Sequence, residues 1–334
     1  MDGTPKTEHA LTALMTLLQA DIEACNKVIM ARVDSPVALI PQVLAKLIAA
    51  GGQQLRPLLV MASARLCGYD PTGGRHVVLA ACVEFIHTAS SLHDDVVDES
   101  ALRRGQASGN AVLGNQASVL VADFIFARAY QLMVTDGAVP VIAILSGAIA
   151  TIAEGELLQL KTQNDISTTE AQYLAVIHGK TAALFAAAAR LGAVAAGRPA
   201  SEEQALDAYG RNLGIAFQLV DDALDYSTNK AVLGKTVGDD FREGKISLPV
   251  LVAIARADST ERAFWQRTLE DGEQGEGDFA KAKRLITRYG ALEETFSRAR
   301  AYGAAALAAL EPFADSAEKR AMQAMVEHCV ECRR

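Results

Sequence analysis

The chain has 334 residues, and its 32 lysines and arginines against 40 aspartates and glutamates give a formal charge of −8. Half of the residues are hydrophobic and 22% are charged, which excludes a disordered chain and disfavours nucleic acid or an anionic membrane surface as the main partner. With only 5% aromatics and abundant alanine, the composition points to one large all-α body.

In chain order, the opening segment mixes acids with a lone lysine, Lys6. It lacks the basic start, apolar centre and small-residue cleavage site of an export signal, so a cytoplasmic location is expected. Apolar residues recur at three- and four-residue intervals from Val77 to Asp98, Gln116 to Val134 and Gln172 to Val194, which predicts long helices. The apolar run from Val139 to Ala153 is interrupted by Pro140, Ser146 and Gly147 and is short of the roughly 20 residues a bilayer needs. It is expected to be a buried helix, and no transmembrane segment is expected. No strand alternation stands out. Glycine and proline breaks leave about ten or more helices, with the acidic, Gly-rich stretch from Asp271 to Asp278 as an exposed flexible loop. No composition shift marks a boundary, so residues 1–334 are read as a single domain. Five widely spread cysteines (Cys25, Cys67, Cys82, Cys329 and Cys332) fit reduced, buried thiols, and the terminal Cys329-x-x-Cys332 has no second pair to complete a zinc site.

One echo stands out: Leu92-His93-Asp94-Asp95-Val96-Val97-Asp98 recurs as Leu219-Val220-Asp221-Asp222-Ala223-Leu224-Asp225. On a helix, the first and last aspartates of such a motif lie about 40° apart around the axis and one turn apart along it. A single copy reads as a solvated helix face. Two copies, each with an apolar lead-in, place acids at the border of a core where they need partners. Mg²⁺ fits, because it takes one or two carboxylates, keeps waters and completes its shell with substrate phosphates. A di-iron centre is the competing reading through Glu84-Phe85-Ile86-His87, but it needs a second Glu-x-x-His. Basic groups surround the motifs: Arg103-Arg104-Gly105, Lys180-Thr181, Gly234-Lys235 and Gly244-Lys245. Arginine in particular suits bidentate contact with phosphate oxygens.

Taken with Gly51-Gly52-Gln53-Gln54-Leu55-Arg56-Pro57, Glu154-Gly155-Glu156 and Phe217-Gln218, these motifs make the chain resemble the trans-isoprenyl diphosphate synthases from about Leu44 onwards. The resemblance implies the isoprenoid synthase fold, a helical bundle around a central cavity, with Mg²⁺ dependence and a homodimer. It implies that Asp94, Asp98 and Asp221 are metal ligands, supported by Asp95, Asp222 and Asp225, holding three Mg²⁺ on an allylic diphosphate. Arg103, Lys180, Lys235 and Lys245 would touch phosphate, and Arg56, His87 and Arg104 would touch isopentenyl diphosphate. Thr181 and Gln218 would face the allylic cation, while His93 and His178 are left as structural. Gln53 and Gln54 stand where the family usually has Lys and Arg. Gln53 would still donate a hydrogen bond to isopentenyl diphosphate, but without charge assistance. Ala122 replaces a frequent glycine, a matter of packing.

Metal and basic groups would stabilise the departing diphosphate, the allylic bond would ionise, and isopentenyl diphosphate would attack the cation in a dry cavity. In the family, aromatic side chains four and five residues before the first motif stop growth at about fifteen carbons. Here those positions are Ser90 and Ala89, so the resemblance implies a long product of about eight to ten isoprene units, a quinone side-chain precursor grown from farnesyl or geranylgeranyl diphosphate. Phe85, Phe126 and Tyr130 are candidates for deeper walls. The remaining alternatives are a partner-dependent subunit, a shorter-chain synthase and a terpene cyclase. The last normally carries a different second motif.

Overall fold

Good helix formers fill the chain, and the computed structural model is a helical body whose described residues are 12, 14–41, 54–98, 102–103, 106–227 and 237–331. The helices are α1 Gln19–Arg32, α2 Leu55–Leu66, α3 Arg75–Val97, α4 Gly109–Leu113, α5 Asn115–Asp136, α6 Val139–Thr162 and α7 Glu170–Ile177. They continue as α8 Ala183–Ala195, α9 Ala200–Asp225, α10 Asp239–Arg242, α11 Leu248–Arg256, α12 Ser259–Trp265, α13 Asp278–Arg288, α14 Ala291–Ala309 and α15 Ala317–Glu331. Two predicted helices are met within two residues at either end, by α3 and α5. The third, from Gln172 to Val194, is α7 and α8 joined by a π-helical turn at His178–Ala182. Thr169 and Gln172 close a capping box at the start of α7.

Long α9 organises the interior. Its first half gives Leu206, Tyr209 and Leu213 to one hydrophobic cluster, and its second half gives Leu219, Val220 and Ala223 to another. It packs against α8 and α14. Glycines permit the closest approaches: a Cβ on Gly214 would lie 2.6 Å from Ala182 Cα, and one on Gly155 would lie 2.6 Å from the Lys180 backbone nitrogen. Close packing of this kind has no slack, so a side chain at either glycine would force the helices apart.

Two expectations need correction. The run from Val139 belongs to a 24-residue helix with proline in its first turn, where the missing N–H costs nothing. That helix is not buried: Val139 and Leu157 are 75% and 67% exposed. Helices Asn115–Asp136, Val139–Thr162 and the stretch Glu170–Ala195 are each long and apolar enough to cross a membrane by length and composition. Apolar content fixed the helix, but not what covers it. The all-α expectation stands beside a two-residue antiparallel pairing, Leu102–Arg103 with Gln106–Ala107, too short to leave an alternating pattern. Second, the Asp271 to Asp278 loop is exposed as expected but pinned. Arg267 makes paired bonds to Asp278 at 2.8 and 3.0 Å, and the Gln274 amide donates to the Phe241 carbonyl at 2.8 Å. Of its acids, Asp278 is used in ion pairing with Arg267, while Asp271, Glu273 and Glu276 are exposed.

Cys25, Cys67, Cys82 and Cys329 are buried free thiols. Burial pushes the first three up to about 12, so they stay protonated and inert. Cys332 lies outside the described residues.

Candidate active site

Both acidic motifs occupy the last turns of their helices. Asp98 is the C-cap residue of α3, its N–H bonded to the Asp94 carbonyl, and Asp225 is the last residue of α9. A helix carboxyl end already carries partial negative charge, so acids there are disfavoured by a few tenths to about 1 kcal/mol each unless cations face them. Both termini are therefore cation-seeking.

The cations that face the first motif come from distant parts of the chain. Lys245 Nζ reaches Asp98 Oδ2 at 2.8 Å and Glu243 Oε2 at 2.5 Å. Its loop is held by Gly244, which has φ +69° and whose carbonyl accepts from the Asn164 N–H at 2.9 Å. Burial pulls the Lys245 ammonium down, but Asp240, Asp98 and Glu243 outweigh it and hold the ammonium well above its usual range. Lys180 Nζ lies 3.1 Å from Glu156 Oε2. Burial again works against its charge, and Asp94 and Glu156 outweigh it. Glu156 itself is pushed up to about 7, because burial and the Asp94 charge exceed the pull of Lys180. The π-turn sets this geometry: Gly155 and Gly179 pack backbone on backbone, which brings Lys180 over the Glu154-Gly155-Glu156 segment of α6.

The second motif is wired differently. Asp222 accepts from the Tyr173 hydroxyl at 2.6 Å and from the Gln218 amide at 2.7 Å, so both of its oxygens have protein donors. Burial pushes its carboxyl up to about 6, against the pull of those two bonds and helped by the Asp221 and Asp225 charges. Gln218 in turn accepts from Thr181 Oγ1 at 2.8 Å. Asp225 Oδ2 accepts from the Asp240 N–H at 3.0 Å and so ties the end of α9 to the start of α10. Asp221 is half-buried at the end of the same helix, and Asp95 of the first motif is buried.

Arg56 and His87 meet across α2 and α3 at 3.1 Å, and the guanidinium stacks over the Phe185 ring, its carbon 4.6 Å from the ring centre. Of the other expected residues, Arg103 falls in the short β pairing as backbone only, while Gln53, Arg104 and Lys235 lie outside the described residues. Ala89 is fully buried, and Ser90, half-buried, donates back to the His87 carbonyl at 3.0 Å. Below them Phe85 is buried, while Phe126 stacks on Tyr130, itself 47% exposed. Sequence reasoning missed Tyr173, Glu243 and Asp240 as site residues, and it placed Glu156 only within a motif. Tyr173 acquires its role through packing of distant elements, whereas Asp240 and Glu243 reach Lys245 through the short turn that carries all three.

Among the described residues, no three His, Cys, Asp or Glu side chains form a ready-made metal cage. One or two carboxylates per helix end, with ammonium groups alongside, suit a hard ion whose shell is completed by water and phosphate rather than an all-protein centre. That donor set fits Mg²⁺, and it does not fit the di-iron reading.

The polyprenyl synthetase family model matches residues 37–286. The chain belongs to that family. It is 43% identical over 312 residues to the octaprenyl diphosphate synthase of Escherichia coli K12, covering 93% of this chain and 96% of that one. Among solved structures, a polyprenyl synthase from Caulobacter crescentus CB15, complexed with calcium and isoprenyl diphosphate, superposes with a TM-score of 0.93 at 48% identity, covering 97% of this chain and 98% of that one. A decaprenyl diphosphate synthase from Rhodobacter capsulatus gives 0.92 at 48% identity, covering 97% and 99%. The fold is that of the isoprenoid synthases, and membership of the family makes the protein a prenyltransferase.

Proposed function

We propose that the protein condenses isopentenyl diphosphate head-to-tail with an allylic diphosphate, farnesyl or geranylgeranyl, to build an all-trans polyprenyl diphosphate of about forty to fifty carbons. The observation that carries this reading is the convergence of Lys180 and Lys245 on the first acidic motif, with Glu156 and Glu243 as their partners. It is a charge-balanced cleft end suited to a metal diphosphate. Asp94, Asp98 and Asp221 would hold Mg²⁺, three ions when the diphosphate is bound. The second motif's other two aspartates already serve protein donors, which supports their supporting role. When bound, the metal neutralises charge on the departing diphosphate.

Lys180, Lys245, Arg103 and Lys235 hold the phosphate oxygens, and Arg56, His87, Gln53 and Arg104 hold isopentenyl diphosphate. The allylic carbon–oxygen bond breaks, with Thr181 and Gln218 turning oxygen atoms toward the electron-poor carbon. The double bond of isopentenyl diphosphate forms the new carbon–carbon bond, a proton leaves to the released diphosphate, and the chain is one unit longer. Apolar walls of α3, α5 and α8 keep water from the cation.

Small Ala89 and Ser90 support the long product, and the octaprenyl and decaprenyl synthases above are the relatives in keeping with it. The length suits a quinone side chain. Ala89→Phe should shorten the product sharply, read by chromatography after dephosphorylation; an unchanged length would remove Ala89 from the floor.

The exposed apolar residues of α5 and α6, Leu120, Val134, Val139, Ile142, Leu157 and Leu160, support a homodimer formed through that face. Sedimentation of Leu157→Glu should give a monomer. The free thiols suit the cytoplasm, and the continuous helical packing through α9 suits one domain over the whole chain.

The deciding experiment incubates purified protein with labelled isopentenyl diphosphate, farnesyl diphosphate and Mg²⁺. A ladder ending near forty to fifty carbons supports an autonomous synthase. No elongation, even at raised isopentenyl diphosphate, points to a partner-dependent subunit.

A further inference from the structure

Tyr173 lies one helical segment before the Lys180-Thr181 pair and is buried, only 4% exposed. Its hydroxyl stands where α7 packs against α9 and α11, and it donates to Asp222 Oδ2 at 2.6 Å. From Asp222 the connections run in one sense. The other carboxylate oxygen accepts from Gln218 Nε2 at 2.7 Å, and Gln218 Oε1 accepts from Thr181 Oγ1 at 2.8 Å.

A side-chain amide can rotate by half a turn and exchange oxygen for nitrogen at little cost. Here it cannot, because a rotated Gln218 would set its oxygen against the Asp222 carboxylate. With the amide fixed, the single proton of Thr181 is committed to Gln218. The Thr181 lone pairs, rather than its proton, are then what the hydroxyl offers to an electron-poor carbon. An acceptor-only Asp222 locks the whole series, and Asp222 is itself locked only if both of its oxygens have donors. Gln218 supplies one and Tyr173 the other.

We propose that Tyr173 is a positioning residue of the prenyl-transfer reaction, holding Thr181 in its cation-facing polarity through Asp222 and Gln218. This rests on the function proposed above. Tyr173 acts through Asp222, while its α7 neighbours Glu170 and Gln172 are engaged elsewhere, with Arg298 and with Thr169.

The test is a double-mutant cycle with Tyr173→Phe and Thr181→Val, measured as kcat and KM for farnesyl diphosphate in the elongation assay. Removing a hydrogen-bonding partner behind a reacting group commonly costs 10–100-fold in activity, so Tyr173→Phe should lower kcat by about 10–100-fold with KM within about twofold. In the Thr181→Val background the same substitution should cost less than about threefold, because the polarity it protects is gone. Equal losses in both backgrounds, or an unchanged kcat in the first, would overturn the proposal. A merely structural tyrosine would give additive losses. Should Tyr173→Phe fail to fold, 3-fluorotyrosine at position 173 keeps the ring and strengthens the donor. It must then change kcat in the wild-type background and not in Thr181→Val, and any other pattern overturns the proposal. Wild-type protein that elongates nothing would bring down the function and this inference together, whereas active wild type with additive losses would bring down this inference alone.

Discussion

The two Asp-Asp-x-x-Asp motifs are spelled alike and placed alike, each at the carboxyl end of a long helix, yet their environments differ. The first is faced by ammonium groups: Lys245 on Asp98, and Lys180 beside Glu156 and Asp94. In the second, among the described residues, the neutral Tyr173 and Gln218 side chains donate to Asp222, and a backbone amide donates to Asp225. Long ammonium side chains can exchange one anion for another, whereas buried phenol, amide and backbone donors cannot. The same spelling thus puts ammonium groups beside one copy and ties Asp222 and Asp225 of the other into the framework. Internal repetition in a sequence is no promise of equal roles.

The largest effect that would sharpen this contrast is in turnover. Asp94→Asn should lower kcat by about 10²–10³-fold, the usual loss for a group that stabilises developing charge, while thermal unfolding stays near wild type. Comparable loss of stability would place Asp94 in the framework instead. Lys245→Met removes a charge-assisted contact, for which about 1.5–3 kcal/mol is typical, and should raise KM for the allylic diphosphate tenfold or more. An unaltered KM would leave Lys245 as a partner of Asp98 and Glu243 only. Asp222→Ala strands the Tyr173 hydroxyl and Gln218 amide and should lower unfolding free energy by about 1–3 kcal/mol in denaturant titrations. A stability equal to wild type would erase the distinction between the motifs.

The smallest effect is a control for pH profiles of either motif, because the fold has its own acid-labile point. His76 is completely buried, 3.4 Å from Asp21 Oδ1, with Arg65 on the other Asp21 oxygen at 2.7 Å and the Tyr69 ring 5.0 Å away. Burial holds its pKa below 6.5 more strongly than Asp21 lifts it, and Arg65 adds to the lowering. A depressed histidine contributes stability that is present above the unfolded value and lost as pH falls through the folded one. Thermal unfolding of wild type should therefore weaken as pH drops below about 6.5, and His76→Gln should flatten that slope. Equal slopes would assign the acid lability elsewhere.

Much of this molecule was legible from residue order. The periodic runs are α3 and α5 within two residues, and the doubled aspartates with Lys180-Thr181 carry the family resemblance. What escaped has a common cause. Tyr173 looks like any aromatic in an amphipathic helix, and it matters only because the register of α7 on α9 sets it opposite Asp222. The π-turn at His178–Ala182 has no composition signature of its own, and it shows only where Gly155 meets Gly179. The exposed face of α6 was misjudged because hydropathy says that a surface wants covering, not whether this chain covers it. Local order is written locally, whereas pairing across long separations is decided by packing.

The Gly155–Gly179 crossing has one more implication, in the language of measurement. A polymer-building site must start each new unit from the same place while everything behind it grows. Two backbones in direct contact cannot compress or rotate past one another, so the Lys180 backbone is set at a fixed benchmark. The distance from that benchmark to whatever blocks the far end is then a length that the fold can hold constant from one product molecule to the next. Changing the far wall alters the reading of this ruler, but widening the crossing at either glycine would shift its zero.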